Sequence, residues 1–233
     1  MTETIDVDVV RVFTDAQGRH GNELGIVQTS VASEGREQKI AALLGFSDTV
    51  FVDGIDQDLV GNHIVRIRIF TPVTELPFAG HPSVGTAWWL VRNGTPASVL
   101  REKAGDVTVE NLPDATWIVA HATWAPEYEW IPMQSAGDLD ALDANVFADG
   151  RHYAYAWKDQ AGGQLRSRMF APVSGIAEDE ATGAAAIRVT ARLARNLQIT
   201  QGMGSEILTA LTEGGRIRLG GRTVFDGAMV VRL

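Results

Sequence analysis

A short segment of this chain occurs twice, at an offset of 100 residues. Residues 66–73 read RIRIFTPV and residues 166–173 read RSRMFAPV, so both arginines, the phenylalanine, the proline and the valine coincide. Each copy runs into a glycine-containing turn and then a helix-like stretch that closes on an Arg-Asn pair. Repetition at the length of a domain indicates two similar units on one chain, and the crevice between two units is a favoured ligand site.

The length of 233 residues fits two units of roughly 110 residues, each with a modest core. We predict an N-terminal unit at 1–114 and a C-terminal unit at 115–221, with 222–233 returning to the first. The formal charge of −9 argues against a nucleic-acid partner, and the lack of cysteine excludes thiolate chemistry. Because the chain has neither a bilayer-length apolar run nor the regions of a signal peptide, we expect a cytoplasmic protein without a membrane partner.

Local patterns predict a mixture of strands and helices. Helical spacing and end signals predict helices at 34–44, 81–92, 137–144 and 182–195. Alternation and β-branched residues predict strands at 7–13, 25–28, 49–52, 64–70, 117–121, 153–157, 165–170, 206–209 and 216–219, and two more within 99–109. The final stretch, 222–233, reads as a strand pair or hairpin.

Three segments carry residues that could perform chemistry. Asp48 stands between a helix end and a strand, although an ordinary turn aspartate reads the same way. The Gly80-His81-Pro82 turn opens a helix, where free N–H groups suit an anion, but it could equally be a simple helix cap. Acids at 178–180 precede the second glycine-containing helix start, at Gly183, and could serve only to stabilise the helix dipole.

The repeat makes the functional interpretation of these segments stronger. If the halves pack around a pseudo-two-fold axis, both helix N-termini can point into one crevice and meet one anionic substrate. An acid from each half would then flank that substrate, as proton abstraction and return require, and backbone donors would stabilise an enolate. The five histidines show no metal-ligand spacing, and no phosphate loop or dinucleotide fingerprint occurs, so we expect no metal and no cofactor.

The same segments resemble one known family, the PhzF (phenazine biosynthesis-like) proteins of the diaminopimelate epimerase fold. The resemblance covers essentially the whole chain, and the block at 77–82 is its most specific part. The residues that carry the resemblance are 12–15 with Gly21 and Asn22, 47–52, 69–72, 75–82, and 178–179 with 181–183.

The resemblance implies an α+β fold of two pseudo-repeated domains, each a barrel-like sheet around a central helix, at 81–92 and 182–195. It implies a cofactor-independent isomerase, usually a homodimer, acting on a small carboxylate. Carried onto this sequence, the catalytic residues are Asp48, His81 and Asp179, and the backbone of Gly80, His81, Gly183 and Ala184 holds the substrate carboxylate. The substrate-binding residues expected on this basis are Asn22, Gly80, Thr182, Gly183 and Ala184.

This chain departs from the family pattern in three places. Asp48 replaces a glutamate, Ala184 replaces a serine, and Glu180 replaces a proline; the chain is also shorter than typical members. Two alternatives therefore stay open beside the isomerase. One is a non-catalytic ligand-binding or assembly protein that retained the fold, and the other is a lyase that uses the same base.

Overall fold

The structure, a computed structural model, describes residues 3–112 and 115–233. Strands dominate these residues, and each central helix follows a strand hairpin. Numbered in chain order, the strands are β1 (Thr4–Thr14), β2 (Asn22–Gln28), β3 (Asp48–Gln57), β4 (His63–Phe70), β5 (Glu75–Leu76), β6 (Ala97–Glu102), β7 (Gly105–Asn111), β8 (Thr116–His121), β9 (Glu129–Pro132), β10 (His152–Asp159), β11 (Gln164–Ala171), β12 (Ile176–Asp179), β13 (Leu197–Gln201), β14 (Ser205–Leu211) and β15 (Arg216–Arg232). The α-helices of the described residues are α1 (Glu37–Leu44), α2 (Gly80–Arg92), α3 (Ala136–Asp140) and α4 (Gly183–Leu193).

The strands form one continuous sheet that curls around two helices. In the first half, β1, β2, β3, β4, β6, β7, β8 and β15 pair in that order, and β15 pairs again with β1, which closes a barrel around α2. The sheet continues through β15, β14, β13, β11, β10 and β9 around α4. Within the described residues β9 does not pair with β8, so the second barrel-like sheet has an open side. The fold expected from the sequence, two barrel-like sheets with central helices, is confirmed.

The repeated sequence segments occupy equivalent places. β4 pairs antiparallel with β3 and parallel with β6, which follows α2. β11 pairs antiparallel with β10 and parallel with β13, which follows α4. The crossover that precedes each unit is also repeated, since β2 runs parallel to β3 and β9 runs parallel to β10. The offset of 100 residues therefore marks a repeat of the structure as well as of the sequence.

The second arginine of each copy of the repeat braces a crossover helix against the sheet. Arg68 donates hydrogen bonds to Glu37 at the start of α1 (2.7 Å) and to Asp53 of β3 (2.7 Å). Arg168 donates to the carbonyls of Leu139 (3.1 Å) and Leu142 (2.6 Å) at the end of α3. Both side chains perform the same structural task, because a short crossover helix buries too little apolar surface to dock on its own.

Strand β1 contributes to the cores on both faces of its sheet. Ile5 and Val7 pack in a small core with α1, whereas Val10 and Val12 point into the barrel core that contains α2. This division follows from the alternation of side chains along a strand. The register shift between Val9 and Val10 puts its extra residue, Asp226, in β15 and leaves the alternation of β1 unbroken. One large core runs through both halves and includes residues packed on α2 and on α4.

Several expected element boundaries were wrong, for identifiable reasons. The stretch 222–233 does not turn back as a hairpin: β15 continues through it and pairs with β1, since the Asp226-Gly227 step forms a bulge instead of a turn. The helix expected at 34–44 begins at Glu37, after Gly35 adopts a left-handed conformation with φ of 75°. The helix expected at 137–144 ends at Asp140, because the side chain of Arg168 donates a hydrogen bond to the carbonyl of Asp140 at the helix end.

Some elements gave no clear sequence signal. Strands β9, β12 and β13 were not predicted, because each is short and lacks a sustained alternation of apolar residues. The ends proposed for the two domains, at 114 and 221, stay a prediction, and residue 114 lies outside the described residues. No helix in the described part of the chain has the length and apolar character that crossing a membrane requires.

Candidate active site

A cavity of about 320 Å³ lies at the N-terminal ends of α2 and α4, where the two halves of the chain meet. Both halves supply its walls, so neither half forms it alone. Of the residues expected to be functional, those that line it are Asp48, Gly80, His81, Asp179, Thr182, Gly183 and Ala184.

The two central helices begin against each other. A Cβ atom placed on Gly80 would lie 2.9 Å from the Cα atom of Gly183, and the side chain of Leu219 packs against both positions. Only residues without a side chain permit this approach. The first helical hydrogen bonds at these ends are Ser83 to Ala79 and Ala186 to Thr182. The N–H groups of the preceding helical residues therefore have no intrahelical acceptor, and they form a double anion cradle together with the two positive dipole ends.

Asp48 and His81 form a buried pair on one side of the cradle. The Nδ1 atom of His81 lies 3.5 Å from Oδ2 of Asp48. Burial raises the pKa of Asp48 well above its usual value, and the carboxylate of Asp179 adds to the rise. Burial also lowers the pKa of His81 to about 4, although Asp179 and the carbonyl of Glu23 oppose this change.

These shifts favour a neutral pair, a carboxylic acid beside a neutral imidazole, because separated charges are costly away from water. Oδ1 of Asp48 is buried and has no hydrogen-bond partner within residues 3–112 and 115–233. Buried polar atoms are nearly always satisfied in native proteins. This oxygen belongs to a residue that lines the cavity, and it is therefore suited to a bound polar molecule.

Asp179 is held in place from three directions. The amide nitrogen Nδ2 of Asn22 donates to Oδ1 of Asp179 (2.6 Å) and to the carbonyl of Ala181 (2.9 Å). The hydroxyl of Thr182 donates to Oδ2 of Asp179. Gln201, which the sequence gave no reason to select, donates to that hydroxyl (2.8 Å) and to the carbonyl of Asp179 (2.9 Å). Asn22 does not line the cavity, contrary to expectation; it lies behind Asp179 and joins the first half of the chain to the second.

The other two acids of the 178–180 run have different tasks. Glu178 binds Arg168 through both carboxylate oxygens, at 2.8 and 2.7 Å. Glu180 accepts hydrogen bonds from the backbone nitrogen of Met203 (2.8 Å) and from the hydroxyl of Ser205 (2.7 Å). Because neighbouring side chains in an extended segment point in opposite directions, only Asp179 of the three lines the cavity.

The open side of the second sheet supplies an aromatic wall that sequence reasoning missed. The chain between β8 and β9 leaves the sheet there and brings Trp124 and Tyr128 to the cavity, opposite Phe78. The rings of Phe78 and Trp124 lie 5.8 Å apart between centroids. Arg188 of α4 fixes this segment by donating to the carbonyl of Ala125 (2.8 Å). Isolated aromatic residues in a loop carry no sequence signal for such a wall.

Ala184 lines the cavity without contributing a polar side-chain atom. Its place at the start of α4 still leaves its backbone N–H available, since the first helical bond there is donated by Ala186. In the described part of the chain, no group of three or more histidine, aspartate or glutamate side chains has an arrangement suited to a metal ion. The site thus consists of backbone donors, one buried acid–imidazole pair and one braced acid.

Comparison with known proteins identifies relatives of this chain. A family profile described as "Phenazine biosynthesis-like protein" (PhzC-PhzF) matches residues 10–153 and 114–222. The trans-2,3-dihydro-3-hydroxyanthranilate isomerase of Pseudomonas aeruginosa is 33% identical, over 84% of this chain and 82% of its own length. The enzyme of the same name from Pseudomonas chlororaphis is also 33% identical, over 76% of this chain and 75% of its own length. The chain belongs to the phenazine biosynthesis-like (PhzF) family.

Solved structures show the same fold at lower sequence identity. A PhzF-family phenazine biosynthesis protein of Bacillus anthracis superposes with a TM-score of 0.78 at 20% identity, covering 99% of this chain and 100% of that one. A hydroxyproline epimerase from Agrobacterium vitis superposes with a TM-score of 0.63 at 10% identity, over 99% and 93% of the two chains. At these identities the superpositions establish the architecture alone.

Proposed function

We propose that this protein is a cofactor-independent isomerase that moves a proton within a small carboxylic acid. The observation that carries the proposal is the buried Asp48–His81 pair, placed beside two abutting helix N-termini in one cavity. The names of the relatives support the class of reaction, because both Pseudomonas proteins are called isomerases. Because positions 48 and 184 differ from the family pattern, the substrate of this chain does not follow from the substrate of these relatives.

The substrate carboxylate binds first, to the N–H groups of Gly80, His81, Gly183 and Ala184. Preorganised donors of this kind stabilise negative charge that develops on the carboxylate as an adjacent C–H bond breaks. Because Ala184 contributes only its backbone, this cradle does not depend on a hydroxyl at that position.

Asp48 then transfers the proton. Its resting proton first passes to His81, whose nitrogen is 3.5 Å away. This transfer is uphill, because burial favours the neutral pair, and it forms a transient carboxylate that acts as the base. It accepts a proton from a substrate carbon, the C–H electron pair shifts into the conjugated system, and the new carboxylic acid returns the proton to a different carbon. Atoms and charge balance over the cycle. A raised pKa makes Asp48 a stronger base than an exposed carboxylate, which brings it closer to the ideal for proton transfer near neutral pH.

Deuterium exchange tests this proposal directly. A panel of small carboxylic acids, including trans-2,3-dihydro-3-hydroxyanthranilate, is incubated with the protein in D₂O and followed by proton NMR and mass spectrometry. We expect one panel member to incorporate deuterium and isomerise without loss of mass. The variant Asp48→Asn should lose exchange by a factor of about 10² or more, while Asp6→Asn, at an exposed acid of β1, should match the wild type.

Two results would contradict the proposal. Undiminished exchange in Asp48→Asn excludes Asp48 as the base. Binding of a panel acid with no exchange in the wild type supports the alternative of a non-catalytic binding protein. A product lighter by water or ammonia would instead identify a lyase.

A further inference from the structure

Arg151 occupies the position in the second half that Asp48 occupies in the first. In the first hairpin, Thr49 of β3 pairs with Phe70 of β4, and in the second, His152 of β10 pairs with Phe170 of β11. Phe70 and Phe170 are matching members of the sequence repeat. Asp48 immediately precedes Thr49, and Arg151 immediately precedes His152. The pseudo-two-fold axis that relates Gly80 to Gly183 therefore also relates Asp48 to Arg151.

The cavity contains both members of this pair. Arg151 lines it together with Asp48, and among its described lining residues Arg151 alone is a lysine or arginine. The cavity is therefore asymmetric in charge: one side of the axis presents a proton-transfer acid, and the other presents a permanent cation. A guanidinium remains charged at every physiological pH.

Arg151 is exposed, and its guanidinium has no protein partner in the described part of the chain. Within residues 3–112 and 115–233 it makes no hydrogen bond and no ion pair, although the chain carries a net charge of −9. Three other arginines of the second half are paired: Arg166 with Asp140, Arg168 with Glu178 and Arg188 with Glu127. An unpaired guanidinium on a cavity wall offers two parallel donors that match a carboxylate.

Tyr128 lines the same cavity as Arg151 and Asp179. Burial is the main cause that raises the pKa of the Tyr128 phenol; the charge of Asp179 adds to the rise and the charge of Arg151 opposes it. The arginine therefore acts within the cavity beside the aromatic wall, and a molecule against Tyr128 would feel both charges.

We propose that Arg151 binds a second carboxylate of the substrate, so that the natural substrate of this protein is a dicarboxylic acid. The inference rests on the proposed function for its geometry. With one carboxylate at the helix starts, near the axis, the carbon that exchanges its proton faces Asp48. The opposite side of the molecule then faces Arg151, and an anionic group there gains a charge-assisted, bidentate contact. Arg151 is a specificity-determining residue in this scheme and takes no part in the proton transfer.

Equilibrium binding separates this inference from the question of turnover. Titration calorimetry compares matched unreactive pairs: benzoate with phthalate, isophthalate and terephthalate, and hexanoate with adipate. We expect the wild type to bind the best-fitting dicarboxylate about tenfold more tightly than its monocarboxylate partner, which corresponds to about 1.4 kcal/mol. Arg151→Gln should lose this preference and keep its affinity for the monocarboxylates. Arg216→Gln, at an exposed arginine of β15 far along the chain, is the charge-matched control and should keep it.

Three outcomes overturn the inference. If the wild type shows no preference for any dicarboxylate, or if Arg151→Gln retains the preference, Arg151 does not bind a second anion. If Arg151→Gln weakens monocarboxylates and dicarboxylates by the same factor, the arginine holds the single carboxylate instead. None of these results depends on deuterium exchange, so a failure of the isomerase proposal remains distinguishable from a failure of this one.

Discussion

Gly80 and Gly183 touch where the two central helices begin, and a Cβ atom on Gly183 would lie 3.0 Å from the backbone nitrogen of His81. This contact joins the two halves of the repeat at one point. It also sets the spacing between the two groups of N–H donors that we propose as the carboxylate cradle.

Gly183→Ala should separate the helix starts and weaken carboxylate binding. Forcing a methyl group into a packed junction typically costs about 1–3 kcal/mol of unfolding free energy, and the displaced donors should lower the affinity for benzoate. Urea denaturation and titration calorimetry measure both effects. Gly137→Ala is the control, because a Cβ there would meet nothing closer than 3.7 Å. Wild-type affinity in Gly183→Ala would show that the junction does not shape the anion site.

Asn22→Leu should disturb Asp179 without touching the cavity itself. The change removes the donors to Asp179 Oδ1 and to the carbonyl of Ala181, and a hydrogen bond to a charged group contributes about 1.5–3 kcal/mol. A misplaced Asp179 should slow deuterium exchange by up to about 10²-fold, measured on the acid that the panel identifies. The exposed Asn145→Leu variant should leave exchange unchanged. Normal exchange in Asn22→Leu would mean that the orientation of Asp179 is not limiting.

Glu102 should make the protein less stable as pH rises. Burial raises the pKa of Glu102 from 4.5 to about 8, although the Ser83 hydroxyl, at 2.6 Å, opposes the rise. Between these two values the folded state holds a proton that the unfolded state has released, so the contribution to stability is complete below pH 4.5 and is lost towards pH 8. The loss amounts to a few kcal/mol, at about 1.4 kcal/mol per pKa unit.

Glu102→Gln isolates this effect, since Asp48 titrates in the same direction in both proteins. Urea denaturation at several pH values between 5 and 9 measures the unfolding free energy of both proteins. The value for Glu102→Gln minus the value for the wild type should rise by about 1.4 kcal/mol per pH unit up to about pH 8. A difference independent of pH would show that Glu102 is ionised in the folded protein.

Arg68→Ala and Arg168→Ala test the second arginine in each copy of the repeat. Both variants should lose about 1–3 kcal/mol of unfolding free energy, because each removes charge-assisted bonds that dock a crossover helix. Only Arg168→Ala should also slow deuterium exchange, since its partner Glu178 adjoins Asp179. Arg101→Ala, which removes an exposed pair with Asp106, should cost less than about 1 kcal/mol. Equal effects of Arg68→Ala and Arg168→Ala on exchange would show that Glu178 does not help to position Asp179.

The sequence identified the repeated unit because its signals are local. The 3.6-residue spacing in the central helices and the alternation in β4 and β11 persist whatever surrounds them, so these elements were predicted within one or two residues. The end of the chain was misread for the opposite reason. Asp226-Gly227 has the composition of a hairpin turn, and only the partner strand β1 decides that it forms a bulge instead.

By itself, the sequence determined that the chain has two similar halves, where each central helix begins, and which acids and histidine stand near those starts. These are properties of neighbouring residues, and short-range preferences are sufficient to specify them. Tertiary structure decided that Gly80 meets Gly183, that Asn22 and Gln201 hold Asp179, and that Arg151 lines the same cavity as Asp48. Contacts between residues so far apart in the chain depend on how the two barrel-like sheets pack around one core, and no local pattern encodes that packing.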